Sequence, residues 1–229
     1  MIRRLAIAAL CMSGCVALSP PPIVPRHAST LAPDEDTFSV SLVMGVAMSG
    51  FADTGFGGEL RAAYQASPDV EVGIGIGLGT ASADVEPRND AEREAPLRPI
   101  RMVSMRAYTA VSPRSSEHVT LTAGVGALRL STGMIALTAD LGATVGYPND
   151  ILVPTATLVT ALSMPLRPGR AFGSSEKYTT PEMAFYGGLL FGLGGQAGDH
   201  YLSLEAGGLR DVLSSTLVLA LSGADRVTR

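Results

Sequence analysis

One short stretch restricts the fold of this chain more than any other. Between residues 70 and 80, large aliphatic side chains alternate one by one with a glutamate and then with glycines. The aliphatic positions are Val70, Val72, Ile74, Ile76 and Leu78. A period of two is that of a β-strand, because successive side chains of a strand point to opposite faces. The segment therefore predicts a strand with one bulky face and one face that is almost bare.

The same period recurs along most of the 229 residues. We predict ten antiparallel strands, near 37–50, 56–66, 70–80, 99–111, 118–131, 134–146, 151–164, 181–194, 199–209 and 216–222. They are longer than the ~5–6 residues usual in soluble sheets, and they match the ~9–11 residues that a tilted strand needs to cross a bilayer. Short turns alternate with longer connections, of which 81–98 and 165–180 are the longest.

The distribution of charge separates a membrane barrel from a soluble one. A soluble surface is roughly 25–35% charged, whereas only 17% of this chain is charged and strands 37–50, 151–164 and 216–222 carry no charge at all. The face opposite the bulky residues consists mainly of Gly, Ser, Thr and Ala, which suits a narrow lumen. We expect the bulky face to contact lipid, including Ile74, Ile76, Phe185, Leu189, Phe191 and Leu193.

Over residues 37–222 the pattern resembles that of small bacterial outer-membrane β-barrels, with short turns at one end and longer loops at the other. The resemblance implies an all-β fold, an antiparallel up-and-down transmembrane β-barrel of about ten strands, within a domain of residues 37–229. The alternative is a soluble, lipid-anchored β-barrel that binds a small ligand. Aromatic residues make up only 5% of the chain and Trp is absent, so the aromatic girdles of a membrane barrel are thin.

The first 36 residues predict export and attachment to a membrane. A basic start and the apolar run 5–12 are typical of a signal peptide, which we assign to residues 1–14. The segment Met12-Ser13-Gly14-Cys15 resembles a bacterial lipobox, which implies lipidation at Cys15, although Met12 replaces the usual Leu. The alternative is ordinary cleavage after Ala17. Residues 15–36 then form the lipid anchor and a Pro-rich, semi-rigid tether.

Charged residues on the small face are the candidate functional residues. In the predicted register six of them point into the lumen, and Thr138 and Thr144 accompany them. The six are Glu59, Arg61, Glu71, Arg106, Asp140 and Glu205. Charges inside a membrane protein pair with one another or line water. They predict either ion pairs that plug a narrow barrel or a small polar pore or ligand site, for which the inward glycines leave extra room.

The sequence contains no hydrolase, metalloprotease or phosphate-loop motif. His27 lies in the tether, and His118 and His200 start strands at the short-turn end, where we expect them to be solvated. Both cysteines lie within the first 15 residues, which excludes a disulfide framework or a cysteine-based metal site in the body. We expect no catalytic residue, no metal and no cofactor. A net charge of −4 without basic runs also argues against nucleic acid as a partner.

These features predict a protein anchored in the bacterial outer membrane at Cys15. We expect it to be a structural or interaction component of an envelope assembly, such as a secretion, motility or adhesion apparatus, with outer-membrane lipid and envelope proteins as partners. A narrow diffusion channel is the alternative, and an enzyme at the barrel rim is the third hypothesis. Loop 81–98, with five acids and three bases, is either a solubilising loop or a docking surface. Loop 165–180 carries Arg167, Arg170 and Lys177 and is suited to anionic lipopolysaccharide.

Overall fold

A computed structural model describes residues 38–49, 52–82, 100–113, 118–131, 133–147, 152–167, 183–197, 200–210 and 215–227. These residues form ten strands. They are β1 (Phe38–Ser49), β2 (Ala52–Ser67), β3 (Val70–Ser82), β4 (Ile100–Val111), β5 (Val119–Leu130), β6 (Ile135–Gly146), β7 (Val153–Arg167), β8 (Ala184–Ala197), β9 (His200–Arg210) and β10 (Ser215–Val227).

The ten strands form one closed barrel. Each strand pairs antiparallel with its neighbours in sequence, and β1 pairs with β10 from Phe38↔Val227 to Ser49↔Thr216. Closure gives every strand a hydrogen-bonding partner on both sides, which a sheet in hydrocarbon requires. The predicted all-β, antiparallel, up-and-down barrel of ten strands is confirmed.

The two ends of the barrel differ. Because the number of strands is even, the start of β1 and the end of β10 lie at the same end, together with the two-residue connection between β2 and β3. The connections 83–99 and 168–183 lie at the opposite end. At that end β5 and β6 are joined by a tight turn, in which Gly133 has a φ of 91°, a backbone conformation that favours glycine.

Most large apolar side chains point outward, and the six charged residues predicted for the lumen point inward. Ile76 is 52% exposed and Phe191 is 59% exposed, whereas Glu59, on the inner face, is only 2% exposed. The soluble alternative required the bulky apolar residues to fill the interior, so this arrangement contradicts it. The outer face is an apolar belt of the kind that contacts lipid.

Several strands extend beyond their predicted limits. β2 begins at Ala52, four residues before the predicted strand 56–66, and β10 continues to Val227, five residues beyond the predicted strand 216–222. Both extensions occur because the neighbouring β1 offers free backbone groups: Ala52 pairs with Ser49, and Val227 pairs with Phe38. Similarly, β3 extends to Ser82, two residues into the loop predicted at 81–98.

The predicted signal peptide, Cys15 and the Pro-rich tether lie outside the described residues, as do most of the two long loops and His27. Within the part of the chain that the structure describes, no helix is long and apolar enough to cross a membrane.

Candidate functional site

The inner wall of β2 carries the first ion pair of the lumen. Glu59 and Arg61 are two residues apart on one strand, so both side chains point to the same face. Arg61 Nε donates to Glu59 Oε1 over 2.8 Å, and the side chain of Arg61 is 4% exposed and that of Glu59 2%. Burial at this level removes water from both groups, so each depends on the other for its stabilisation.

A second ion pair joins β4 to β6 across β5. Arg106 Nε donates to Asp140 Oδ2 over 2.8 Å, and Arg106 Nη2 donates to Asp140 Oδ1 over 2.6 Å. This two-bond geometry is the strongest form of an arginine–carboxylate contact. The guanidinium spans the intervening strand above Gly124, which pairs with both Tyr108 and Asp140.

Tyr108 of β4 connects the two pairs. Its ring lies 5.7 Å from Arg61 Cζ and 5.1 Å from Arg106 Cζ, within the range of cation–π attraction. The Tyr108 hydroxyl shares a hydrogen bond with the carboxyl of Glu71 on β3. Five of the six predicted lumen charges therefore meet around one tyrosine, and we call Glu59, Arg61, Glu71, Arg106, Tyr108 and Asp140 the lumen network.

Glycines on the neighbouring strands leave the space that the side chains of the lumen network occupy. A Cβ at Gly73 would lie 2.5 Å from the Tyr108 ring, and a Cβ at Gly75 would overlap the Glu59 carboxylate. A Cβ at Gly124 would lie 2.5 Å from Arg106 Nε and 2.6 Å from Asp140 Oδ2. The expectation that inward glycines leave room for a cavity is therefore wrong at these positions, because neighbouring long side chains fill the space.

Several other inward side chains are buried as well. Glu205 of β9, the sixth predicted charge, is 3% exposed and packs over Gly192 of β8. Thr144 and Thr157 share a hydrogen bond of 2.9 Å between their hydroxyls, and Thr138 is half-buried on the same inner face of β6. Buried inward side chains continue around the barrel, on β1 (Val43), β7 (Val159, Ser163), β8 (Tyr186, Leu190) and β9 (Ser203).

The inner face is less uniformly small and polar than its sequence suggests. At the long-connection end, β4–β6 and their turn carry a buried apolar cluster with Met102 packed against it, consisting of Ile100, Leu128, Leu130, Met134 and Ala136. The prediction of a lumen face made of Gly, Ser, Thr and Ala is wrong here. Inner faces need not be polar where packed side chains exclude water.

Tyr108 is the residue that sequence reasoning missed. The signal was its position, since Tyr108 and Arg106 share a face of β4 and lie opposite Gly73 and Gly75. That pairing is a property of the register between two strands separated by a long connection, and the period within one strand does not reveal it.

The two histidines predicted to be solvated lie at the short-turn end. His118 directly precedes β5 and is exposed, with its ring stacked on Tyr147 at a centroid distance of 5.7 Å. His200 is the first residue of β9. Among the residues that the structure describes, no three His, Cys, Asp or Glu side chains are grouped so that they could hold a metal ion.

The sequence matches no protein-family model and no curated protein. Its fold is similar to that of an outer membrane channel from Pseudomonas putida F1, with a TM-score of 0.52 and 10% identity over 89% of this chain and 100% of the other. The translocator domain of an autotransporter from Neisseria meningitidis gives 0.45 and 10%, over 82% of this chain and 88% of the other. A toluene transporter from Ralstonia pickettii gives 0.34 and 9%, over 86% and 90%.

The likeness to the Pseudomonas channel concerns the fold alone, because the two sequences are only 10% identical. The closed ten-strand topology, the apolar outer belt and the likeness to the Pseudomonas channel agree with one another. The chain has the fold of bacterial outer-membrane β-barrels.

Proposed function

We propose that the protein is an outer-membrane β-barrel lipoprotein with a sealed lumen, and that it serves as a structural or interaction component of an envelope assembly. The supporting observation is the burial of many inward side chains around the lumen network. Side chains that point inward, such as Arg61, Asp140 and Glu205, are at most 4% exposed. The network members Glu71, Arg106 and Tyr108 are half-buried, and we propose that together these side chains close the lumen.

A sealed barrel offers only its outer surfaces for a function. Its lipid face holds it in the membrane, and its two rims remain for contacts with other molecules. In the sequence, the mixed-charge connection 83–99 follows β3 and the predicted tether 15–36 precedes β1. Charged surfaces steer and select protein partners, which agrees with a role in an assembly. The sealed lumen, by contrast, gives no path for a solute.

A narrow diffusion channel is the second candidate, favoured by the chemistry of the seal. The lumen network consists of ion pairs and a tyrosine, and charged side chains also line selective pores. The similar fold from Pseudomonas putida F1 carries the name of a channel. In this candidate the ion pairs would separate transiently and let small solutes pass.

Conductance in planar bilayers separates the two candidates. We expect the wild-type barrel to give no steady conductance and liposomes that contain it not to swell in sugars. Tyr108→Ser together with Arg61→Ser should open the lumen and produce conductance, because both changes empty the space that the seal fills. Tyr64→Ser is the matched control: Tyr64 lies on β2, points outward and is 42% exposed, so its loss leaves the lumen sealed.

Sustained conductance of the wild-type protein would contradict the sealed barrel and support the diffusion channel. The assembly role needs its own measurement, namely cross-linking and purification from gently solubilised outer membranes. We expect a partner at fixed stoichiometry that is lost when residues 84–98 are replaced by a Gly-Ser linker of equal length. Recovery of the barrel alone under both conditions would count against the assembly.

A further inference from the structure

Three arginines lie on the outer face of the barrel wall. Arg101 on β4, Arg129 on β5 and Arg167 at the end of β7 are all exposed. Among the strand side chains that the structure describes, these are the charged residues that point outward, and no acidic side chain of that set shares their face. All three lie at the end that carries the connections 83–99 and 168–183.

The strand register brings the three arginines together. Arg129 lies opposite Ile135 of β6, which lies opposite Arg167 of β7, so these two arginines are two strand spacings or ~10 Å apart. The Arg101 amide donates to Ser131 Oγ over 3.0 Å, and the Ser131 amide donates to the Arg101 carbonyl over 2.8 Å. Ser131 is two residues from Arg129, so Arg101 and Arg129 are diagonal neighbours at ~7–8 Å.

An irregularity in β7 directs Arg167 outward. The register shifts between Ile135 and Ala136, which pair with Arg167 and Pro165 respectively, so Leu166 is an extra residue. Simple alternation would turn Arg167 toward the lumen, where Ser163 and Ala161 point. A bulge changes the direction of a side chain in this way, and proline is tolerated in a sheet at such a site because it donates no ladder hydrogen bond.

The polarity of the wall reverses at this level. Below it, bulky apolar residues such as Val125 face outward and charges face inward. Here the arginines face outward, and the apolar cluster of Leu128 and Leu130 lies behind them on the inner side. Exposed guanidinium groups are costly in hydrocarbon, so this level marks the outer edge of the apolar belt, where lipid headgroups begin.

The height of the belt agrees with this position. Eight residues separate Leu121 from Arg129 on β5; at a rise of ~3.3 Å per residue and a tilt of ~40°, they span about 20 Å of the ~25 Å apolar band of such barrels. The chain enters and leaves the barrel at the opposite, short-turn end, which faces the periplasm in this class of protein. The arginines therefore lie at the outer leaflet.

We propose that Arg101, Arg129 and Arg167 form a binding site for the phosphate groups of lipopolysaccharide in the outer leaflet. The inference rests on the proposed outer-membrane location. Guanidinium groups bind phosphate through two parallel hydrogen bonds, and three of them within ~20 Å suit a glycolipid that carries more than one phosphate. The three arginines are carried by paired strands and a hydrogen-bonded turn, so their backbone spacing is fixed before the lipid binds.

The test uses the full chain folded in zwitterionic detergent and three probes: labelled lipopolysaccharide, the same material after removal of its phosphates, and phosphatidylglycerol. We expect the wild type to bind intact lipopolysaccharide and to bind the other two at least tenfold more weakly. The triple variant R101Q/R129Q/R167Q should bind it about a hundredfold more weakly, given the attraction of each arginine to an anionic lipid surface. Arg114→Gln, in the connection between β4 and β5 at the other end, should bind as the wild type does.

Equal binding of intact and dephosphorylated lipopolysaccharide by the wild type would overturn the inference, even if the triple variant fails to fold. Equal binding of phosphatidylglycerol would also overturn it, since the site would then attract any anionic lipid. The triple variant R101K/R129K/R167K should retain part of the affinity through its charge. Fractionation of cells distinguishes failure of this inference from failure of the proposed function. If the protein is absent from the outer membrane, the proposed function is contradicted. If the protein is located there but binds lipopolysaccharide equally well without its phosphates, only this inference is contradicted.

Discussion

At the scale of single residues, the packing of the lumen depends on side-chain volume as much as on charge. The guanidinium of Arg106 reaches Asp140 across Gly124, and the ring of Tyr108 lies over Gly73. A long side chain on one strand is accommodated because its neighbour on the next strand has none. The glycines of β3 and β5 are therefore part of the lumen network rather than a sign of an empty cavity.

Substitution of one such glycine tests this view. We expect Gly124→Ala to destabilise the folded barrel by about 1–3 kcal/mol, because the new methyl group displaces the guanidinium or the carboxylate of the Arg106–Asp140 pair. Gly187→Ala on β8 is the matched control, because a Cβ there meets nothing within 4 Å. The measurement is the unfolding free energy in denaturant. Equal unfolding free energies of the two variants would show that the Arg106 and Asp140 side chains can move aside with little loss of stability.

At the scale of a strand, the alternation of β3 assigns its two faces to different solvents. Ile74 and Ile76 are exposed on the outer face, while Gly75 and Gly77 face the lumen. On β6, Thr138 and Thr144 share the inner face with Asp140. One strand therefore contacts hydrocarbon on one side and packed polar groups on the other.

Thiol labelling in liposomes tests this assignment after replacement of the native cysteines. We expect Ile76→Cys to react with a lipid-phase probe and to be shielded from a water-soluble one, because its side chain projects into hydrocarbon. Thr138→Cys is the matched inner position and should be out of reach of the lipid-phase probe. If Ile76→Cys reacted only with the water-soluble reagent, the outer face would be in water and the transmembrane barrel would be wrong.

At the scale of the whole molecule, the protein has two predicted means of staying in the membrane. The belt of exposed apolar side chains surrounds the barrel, with residues such as Val125 and Met105 each 64% exposed. The second means is the acyl group expected at Cys15, which a barrel with such a belt does not need for insertion. We therefore interpret the predicted acyl group as a means of holding the tether at the membrane surface.

Radiolabelled palmitate tests the anchor separately from the barrel. We expect label in the wild type and none in Cys15→Ser, because Cys15 is the predicted site of acylation. Both forms should remain in the outer-membrane fraction after an alkaline wash, because the apolar belt holds the barrel. Release of Cys15→Ser into the soluble fraction would mean that the lipid is the sole attachment, and equal labelling of both forms would exclude acylation at this cysteine.

The sequence alone determined the strand period, the number of strands and the side of each strand that faces lipid. Side-chain alternation is a local property, and the bulky apolar positions identify the outward face. That is why the sequence assigns Ile76 and Glu59 to opposite faces. The tertiary structure alone decided which inward residues meet. Arg106 reaches Asp140 across 34 residues of chain, and Tyr108 lies between two arginines from different strands. The bulge that turns Arg167 outward also depends on pairing with β6. Such contacts follow from barrel closure and from the register between strands, and no period within a strand encodes a register.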